Sequence, residues 1–317
     1  MNIQMIDAPM GEGKAELFKE TKSSSKLHED APTLASASML VEVNISNWVG
    51  RKKDKRASED VVTQNHAAAG VANVNKKLLA DSDNLRAIQQ HVTATRSAHA
   101  HMTMPWSNSG LRLLPTAQYF KYQQTMTDMQ NEFERLITNF LDSYNDEVID
   151  VQMKLGDLFS RDDYPTTDEL ERKFGFSINY MPLPDAGDFR IDIGNEQSQA
   201  MKEQYEGYYA KQLQNAMGDV WTRLHESLSN MSERLDYQSK DNKKTFRDTL
   251  VSNVEGMVGL LKTCNVTNDP KMEQARLVLD DALRGVTPDA LREDDYLRSQ
   301  TKQSVDEVIK SLPSINF

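Results

Sequence analysis

The strongest constraint on the fold is an apolar stripe of unusual length, formed by Tyr119, Tyr122, Met126, Met129, Phe133, Leu136, Phe140, Tyr144, Val148, Val151, Leu155 and Leu158. Steps of three and four residues put one apolar side chain per turn on the same side of a helix, and a rhythm held this long is that of a coiled-coil seam. A second stripe, Met201, Tyr205, Tyr208, Met217, Val220, Leu224, Leu228, Met231 and Leu235, predicts a helix of similar length. The expected object is a mainly α protein with a long antiparallel coiled-coil arm over 116–237 and a small β-hairpin tip at 160–195.

The first helix of this arm, 116–159, would be about 65 Å long at 1.5 Å per residue. Pro115 suits its first turn, where a missing N–H costs nothing. Two successive four-residue steps through Phe140, Tyr144 and Val148 form a stutter, which relaxes the supercoil locally. In the reversal, Thr167 is positioned to cap a short helix that Gly175 ends. Phe176, Ile178 and Tyr180 alternate, as do Phe189, Ile191 and Ile193, and the prolines and Gly187 between them predict a hairpin with an irregular loop. Asn195 is read as the cap of the return helix, which ends near residue 237.

The chain has 317 residues, of which 38% are apolar, and a mean hydropathy of -0.64. Long helices that bury one stripe and leave their other faces wet suit such a composition better than one thick core. The formal charge is -11, which disfavours sequence-independent binding to nucleic acid because phosphate neutralisation needs clustered Lys and Arg. Cys264 is the only cysteine, so neither an intrachain disulfide nor a multi-cysteine zinc site is possible. No apolar run approaches the roughly 18 residues of a membrane span, and the N-terminus lacks the pattern of a secretory signal. A cytoplasmic protein with no membrane contact is expected.

Four segments follow from the punctuation of the chain. Residues 1–36 lack periodicity and read as a disordered leader. Residues 37–115 hold a strand, in which Met39, Val41, Val43 and Ile45 alternate with Leu40, Glu42 and Asn44, followed by helices at 58–69 and 84–103. Residues 116–237 are the arm. Residues 238–317 predict a C-terminal helical bundle, with Asp269-Pro270 and Thr287-Pro288 each placing a cap before a proline.

Few residues are arranged for chemistry. Gly11-Glu12-Gly13-Lys14 resembles the end of a phosphate-binding loop, but Ala8 stands where the first glycine belongs and Ala15 where a magnesium-holding hydroxyl belongs. His91, His99 and His101 share a helix at spacings of eight and two, which do not place two ligands on one face. Cys264 has no base in pattern, and Asp162 and Asp163 read as exposed loop acids. No catalytic, cofactor-binding or metal residue is assigned, and no cofactor is expected. The candidate contact residues are Trp48, Arg51, Lys52, Lys53, Lys55 and Arg56, where five cations in six residues follow a strand beside an aromatic ring. Such a run serves an anionic partner or is a solvated turn.

Two segments carry a family resemblance. The run Leu40-Val41-Glu42-Val43-Asn44-Ile45-Ser46-Asn47-Trp48-Val49-Gly50-Arg51-Lys52-Lys53 resembles the opening signature of an uncharacterised family of bacteria and tailed phages, catalogued only as a domain of unknown function. The run Val286-Thr287-Pro288-Asp289-Ala290-Leu291-Arg292, continued by Leu297-Arg298, is similar to that family's C-terminal pattern. The resemblance covers roughly residues 39–312. Such families are often encoded near a MoxR-like AAA+ ATPase and a von Willebrand factor A protein, which implies an accessory role beside a remodelling ATPase. No catalytic position comes with it.

The leading expectation is therefore a non-enzymatic helical adaptor or scaffold, phage-encoded, with a protein partner such as the AAA+ ATPase or the von Willebrand factor A protein. Self-association is left open. The alternative is a nucleic-acid-binding protein using the basic turn 51–56. Against it stand residues 111–200, where 17 acidic side chains face 8 basic ones.

Overall fold

A computed structural model describes residues 37–183, 195–236 and 249–312. It is mainly helical, with a small antiparallel sheet at its centre. Strand β1 (Ser38–Ser46) is flanked by β5 (Arg112–Pro115) and β6 (Gly175–Pro182), and the short β4 (Met104–Pro105) lies outside β5, giving the order β4-β5-β1-β6. A separate ribbon pairs β2 (Arg51–Asp54) with β3 (Val74–Lys77).

Alternation along β1 sends its side chains to opposite faces. Met39, Val41, Val43 and Ile45 take one face, opposite Leu114 and Arg112 on β5 and Pro182, Tyr180, Ile178 and Phe176 on β6. The other face is buried as well over the first half of the strand, where Leu40 lies opposite Leu113 and Met181. Both faces of the sheet therefore need cover, and the helices divide between them.

The first face is covered by α2 (Asp83–Met102) and α3 (Tyr119–Leu155), which run antiparallel: Asn84 bonds Glu147 at 3.0 Å, the His91 ring meets the Met129 carbonyl, and His99 meets Tyr122. Ser82 caps α2 by accepting from the Leu85 amide at 3.0 Å. Tyr122, Met126, Phe133, Phe140, Tyr144, Val148 and Val151 are the buried stripe of α3. They pack with Ile88 and Val92 of α2, with Leu78 and Leu79, with Val41 and Leu114 of the sheet, and with Leu170 of the short α4 (Thr167–Glu171). Gly156, at φ +48°, ends the stripe before Leu158, which is 45% exposed.

The second face is covered by α5 (Asn195–Leu235) together with α6 (Thr249–Cys264), α7 (Pro270–Ala282), α8 (Pro288–Glu293) and α9 (Asp295–Ser311). Val220, Trp221, Leu224, Leu228, Met231 and Leu235 of α5 share one core with Leu40, Met104 and Leu113 of the sheet, with Trp106 just after β4, and with the apolar stripes of α6, α7 and α9. Asp269, Thr287 and Asp294 cap α7, α8 and α9, two of them directly before a proline, as expected for the C-terminal helices.

Four expectations are corrected. The helices of the proposed arm do not pack on each other among the described residues: α3 packs on α2, and α5 on α6 and α9. The reason is the sheet between them, each of whose apolar faces takes one long helix. The residues 175–182 expected in a hairpin tip form an edge strand along β1, and the second run, 189–193, lies outside the described residues. The helix expected at 58–69 is α1 (Lys55–Gln64), which starts earlier because the Asp54 carboxylate accepts from the Ala57 amide at 2.9 Å. The short helix α4 is likewise capped one residue before Thr167, by Thr166 in a reciprocal capping box with Glu169. The 1–36 leader falls outside the described residues.

Candidate functional site

The basic run lies on the β2–β3 ribbon. Gly50 turns the chain into it at φ +62°, where a larger residue would be strained and its Cβ would displace Leu85 Cδ2, which lies 2.7 Å from that position. The Leu78 amide donates to the Gly50 carbonyl at 2.7 Å and closes the base of the ribbon. At its other end the Ser58 hydroxyl accepts from the Val74 amide at 2.9 Å and donates to the Asp54 carbonyl at 2.5 Å, tying α1 to both strands.

The register sets Lys52 opposite Lys76 and Arg51 opposite Lys77, and like charges directly across a ladder are destabilising. One of the two pairs is neutralised. Asp163 reaches Lys52 Nζ at 2.7 Å and Lys76 Nζ at 2.5 Å, Asp54 lies 3.4 Å from Lys76, and Lys76 also donates to the Leu158 carbonyl at 2.6 Å. The Asp163 side chain is only 11% exposed. Burial alone would raise its pKa, but the hydrogen bonds from Lys52 and Lys76 hold the carboxyl below the usual aspartate range. Asp163 is thus a nearly buried anchor rather than the exposed loop acid expected of it. Tyr164 fixes the same loop by donating to the Leu78 carbonyl at 2.9 Å.

The opposite face of the ribbon carries Arg51, Lys53, Asn75 and Lys77, all exposed. Lys55 and Arg56 follow at the start of α1 and are exposed too. Among the described residues no ion pair involves Arg51, Lys53, Lys55, Arg56 or Lys77, although Lys77 lies within the field of Asp81. The structure therefore separates the predicted set: Lys52 belongs to the internal ion cluster, and Arg51, Lys53, Lys55 and Arg56 form an outward patch. Trp48 leaves the set by packing, since its ring stacks on Phe140 at 6.2 Å and meets Tyr144 edge-on at 6.1 Å. Lys77, Lys76 and Asp54 were not singled out from the sequence, and Asp163 was read there only as an exposed loop acid. Val74-Asn75-Lys76-Lys77 is one apolar residue followed by three polar ones, so no hydropathy alternation marked the second strand.

The remaining polar groups serve the fold. His99 is 8% exposed, and its Nδ1 lies 2.8 Å from the Tyr122 hydroxyl. Burial, assisted by the Arg112 guanidinium, pushes its pKa down to about 4, and burial raises that of Tyr122. Arg112 and Arg223 converge on the C-terminal end of α2: Arg112 donates to the Ala100 and Thr103 carbonyls at 3.2 and 3.0 Å, and Arg223 to the same two at 2.9 and 2.8 Å. Arg223 also pairs with Asp219. The two guanidinium groups satisfy carbonyls that helix geometry leaves open and complement the helix dipole. Burial pushes the Cys264 thiol up to about 12, which keeps it protonated and a poor nucleophile.

His91, His99 and His101 each bond a different group, and no cluster of three or more metal-ligating side chains occurs among the described residues. An open groove of about 500 Å³ lies between the end of α2, the start of α3 and α6, with His101, Gln118, Lys121, Glu255 and Thr263 on its walls. Gln118 crosses one side of it, donating to the Thr263 hydroxyl at 2.5 Å. The Gly11–Lys14 fragment lies outside the described residues. No helix among them is long and apolar enough to cross a membrane. No protein-family model, no curated protein and no solved structure matches the chain.

Proposed function

We propose that this chain is a non-enzymatic adaptor or scaffold, phage-encoded and cytoplasmic, that acts beside a MoxR-like AAA+ ATPase or its von Willebrand factor A companion. The observation that carries the reading is the employment of the buried polar groups. His99 is held by Tyr122, Arg112 and Arg223 hold helix carbonyls, and Cys264 is protonated. A general base or nucleophile needs a partner within hydrogen-bond reach beside a concave, partly dry site. Those buried groups are instead committed to the protein's own backbone and packing. What remains for function is surface, and the resemblance of residues 40–53 and 286–298 supplies the ATPase context.

Contact with nucleic acid is the second reading, favoured by the outward cations Arg51, Lys53 and Lys77 on a two-stranded ribbon, a shape that the major groove admits. The test is to purify the chain with and without the neighbouring ATPase. Stoichiometric addition should change that enzyme's turnover or targeting, and the chain alone should hydrolyse no nucleotide. Hydrolysis by the isolated chain, abolished by Lys14→Ala, would overturn the adaptor reading.

A further inference from the structure

We propose that the outward face of the β2–β3 ribbon, built from Arg51, Lys53 and Lys77 and extended by Lys55 and Arg56, docks an extended acidic segment of a partner protein. The inference rests on the adaptor reading and names the chemistry of what is adapted.

Charge complementarity carries it. Acidic residues outnumber basic ones by 48 to 37 in this chain, and its arginines commonly have an acid within one helical turn. Arg86, Arg135, Arg276, Arg284, Arg292 and Arg298 each pair with an acid three residues earlier. Arg51 and Arg56 have no acid three residues earlier, and among the described residues Asp54, Glu59 and Asp60 nearby form no ion pair with them. On the ribbon itself the inward lysines receive Asp163 and Asp54, whereas the outward cations receive no carboxylate among the described residues. One face is neutralised by the protein and the other is left for something else.

Spacing selects the ligand. Arg51 and Lys53 project from one strand at alternate positions, about 6.8 Å apart, with Lys77 directly across from Arg51. An extended peptide with an acid at every second residue presents carboxylates at the same interval. Both ribbon strands lack a further strand neighbour among the described residues, so the peptide can add backbone hydrogen bonds as a third strand. Lysines on an open edge also deter unwanted strand pairing. An acidic strand is the partner they would admit.

A nucleic acid fits less well. The indole of Trp48 is half-buried, with Phe140 and Tyr144 packed on it, and is a poorer stacking platform for a base than a free ring. Exposed Glu59 and Asp60 on α1 and Asp81 beside Lys77 interrupt the patch, and the net charge of -11 repels a long polyanion more than a short acidic segment.

The test uses the full chain and fluorescence anisotropy with a labelled peptide of alternating Glu and Val, its Gln-for-Glu counterpart, and a DNA duplex. Binding to the acidic peptide is expected, weakened by salt because exposed charges are screened, with none to the neutral peptide. Combining Arg51→Ser, Lys53→Ser and Lys77→Ser should weaken it at least about tenfold. Combining Lys271→Ser, Arg284→Ser and Lys310→Ser, with the same loss of charge on the C-terminal helices, should change it less than about twofold. Arg51→Glu, Lys53→Glu and Lys77→Glu together should transfer binding to a Lys-Val peptide, whereas Lys271→Glu, Arg284→Glu and Lys310→Glu, with the same change of net charge, should not. Equal losses in the two Ser variants, tighter binding to the duplex than to the peptide, or binding to neither probe would each overturn the proposal. If peptide binding is absent while the chain still alters turnover of the ATPase, this inference fails and the adaptor reading stands.

Discussion

His99 Nδ1 lies 2.8 Å from the Tyr122 hydroxyl at the point where α2 crosses the start of α3, with the Arg112 guanidinium on the adjoining strand. A neutral imidazole can accept from the phenol or donate to it, so the pair is satisfied in either tautomer. A protonated ring could only donate, and it would do so out of water and beside a fixed cation. The contact is thus built for neutral histidine.

A pH dependence follows from the sign of that shift. The pKa of His99 is about 4 in the folded chain against 6.5 for the free side chain, so between these values the unfolded chain binds the extra proton. Stability should be level above about pH 6.5 and fall as the pH drops toward 4, by at most about 3 kcal/mol from this group. Urea titrations at several pH values, compared with His99→Gln, isolate it from the carboxylates that titrate lower down. An unchanged pH profile in the variant would show that His99 is not desolvated as described.

Asp163 gives the second prediction. Asp163→Asn keeps the shape but removes the charge that Lys52 and Lys76 share, leaving Lys76, whose side chain is 10% exposed, with Asp54 at 3.4 Å. Breaking a fully buried pair costs about 3–5 kcal/mol, so this partly exposed one should cost about 2 kcal/mol. Lys52→Gln, at a side chain 49% exposed, should cost less than 1 kcal/mol by the usual scale of surface pairs, roughly 0–1 kcal/mol. Chemical denaturation of the two variants gives the comparison. Comparable losses would mean that Asp163 is no anchor.

The features legible in the sequence are those set by local geometry. Asp269 and Thr287 were readable as caps because a cap is a bond between a side chain and the backbone two or three residues on. The stripe from Tyr122 to Val151 was readable because helical period alone determines it. What covers a stripe is not local: Phe133 meets Phe174 and Phe176, and Leu228 shares a core with Leu40, contacts that no periodicity specifies. The cationic run was visible as a run, but its division into inner and outer faces depends on β3 and on Asp163, both distant in sequence.

The third prediction distinguishes two separate cores from a paired arm. Phe133 and Leu228 are both fully buried and lie in different clusters on opposite sides of the sheet. Phe133→Leu and Leu228→Val are mild enough to leave the double variant folded, at about 1–2 kcal/mol each. Without shared contacts their costs should add to within about 0.5 kcal/mol, whereas residues in contact couple by roughly 0.5–3 kcal/mol. Phe133→Leu with Phe176→Leu is the positive control, since those rings lie 5.8 Å apart. Glu134→Ala, beside Phe133 on the wet face of α3, should change stability by no more than about 0.5 kcal/mol. Coupling between Phe133 and Leu228 as large as that of the control would mean that the two long helices meet after all, and that the sheet does not part them.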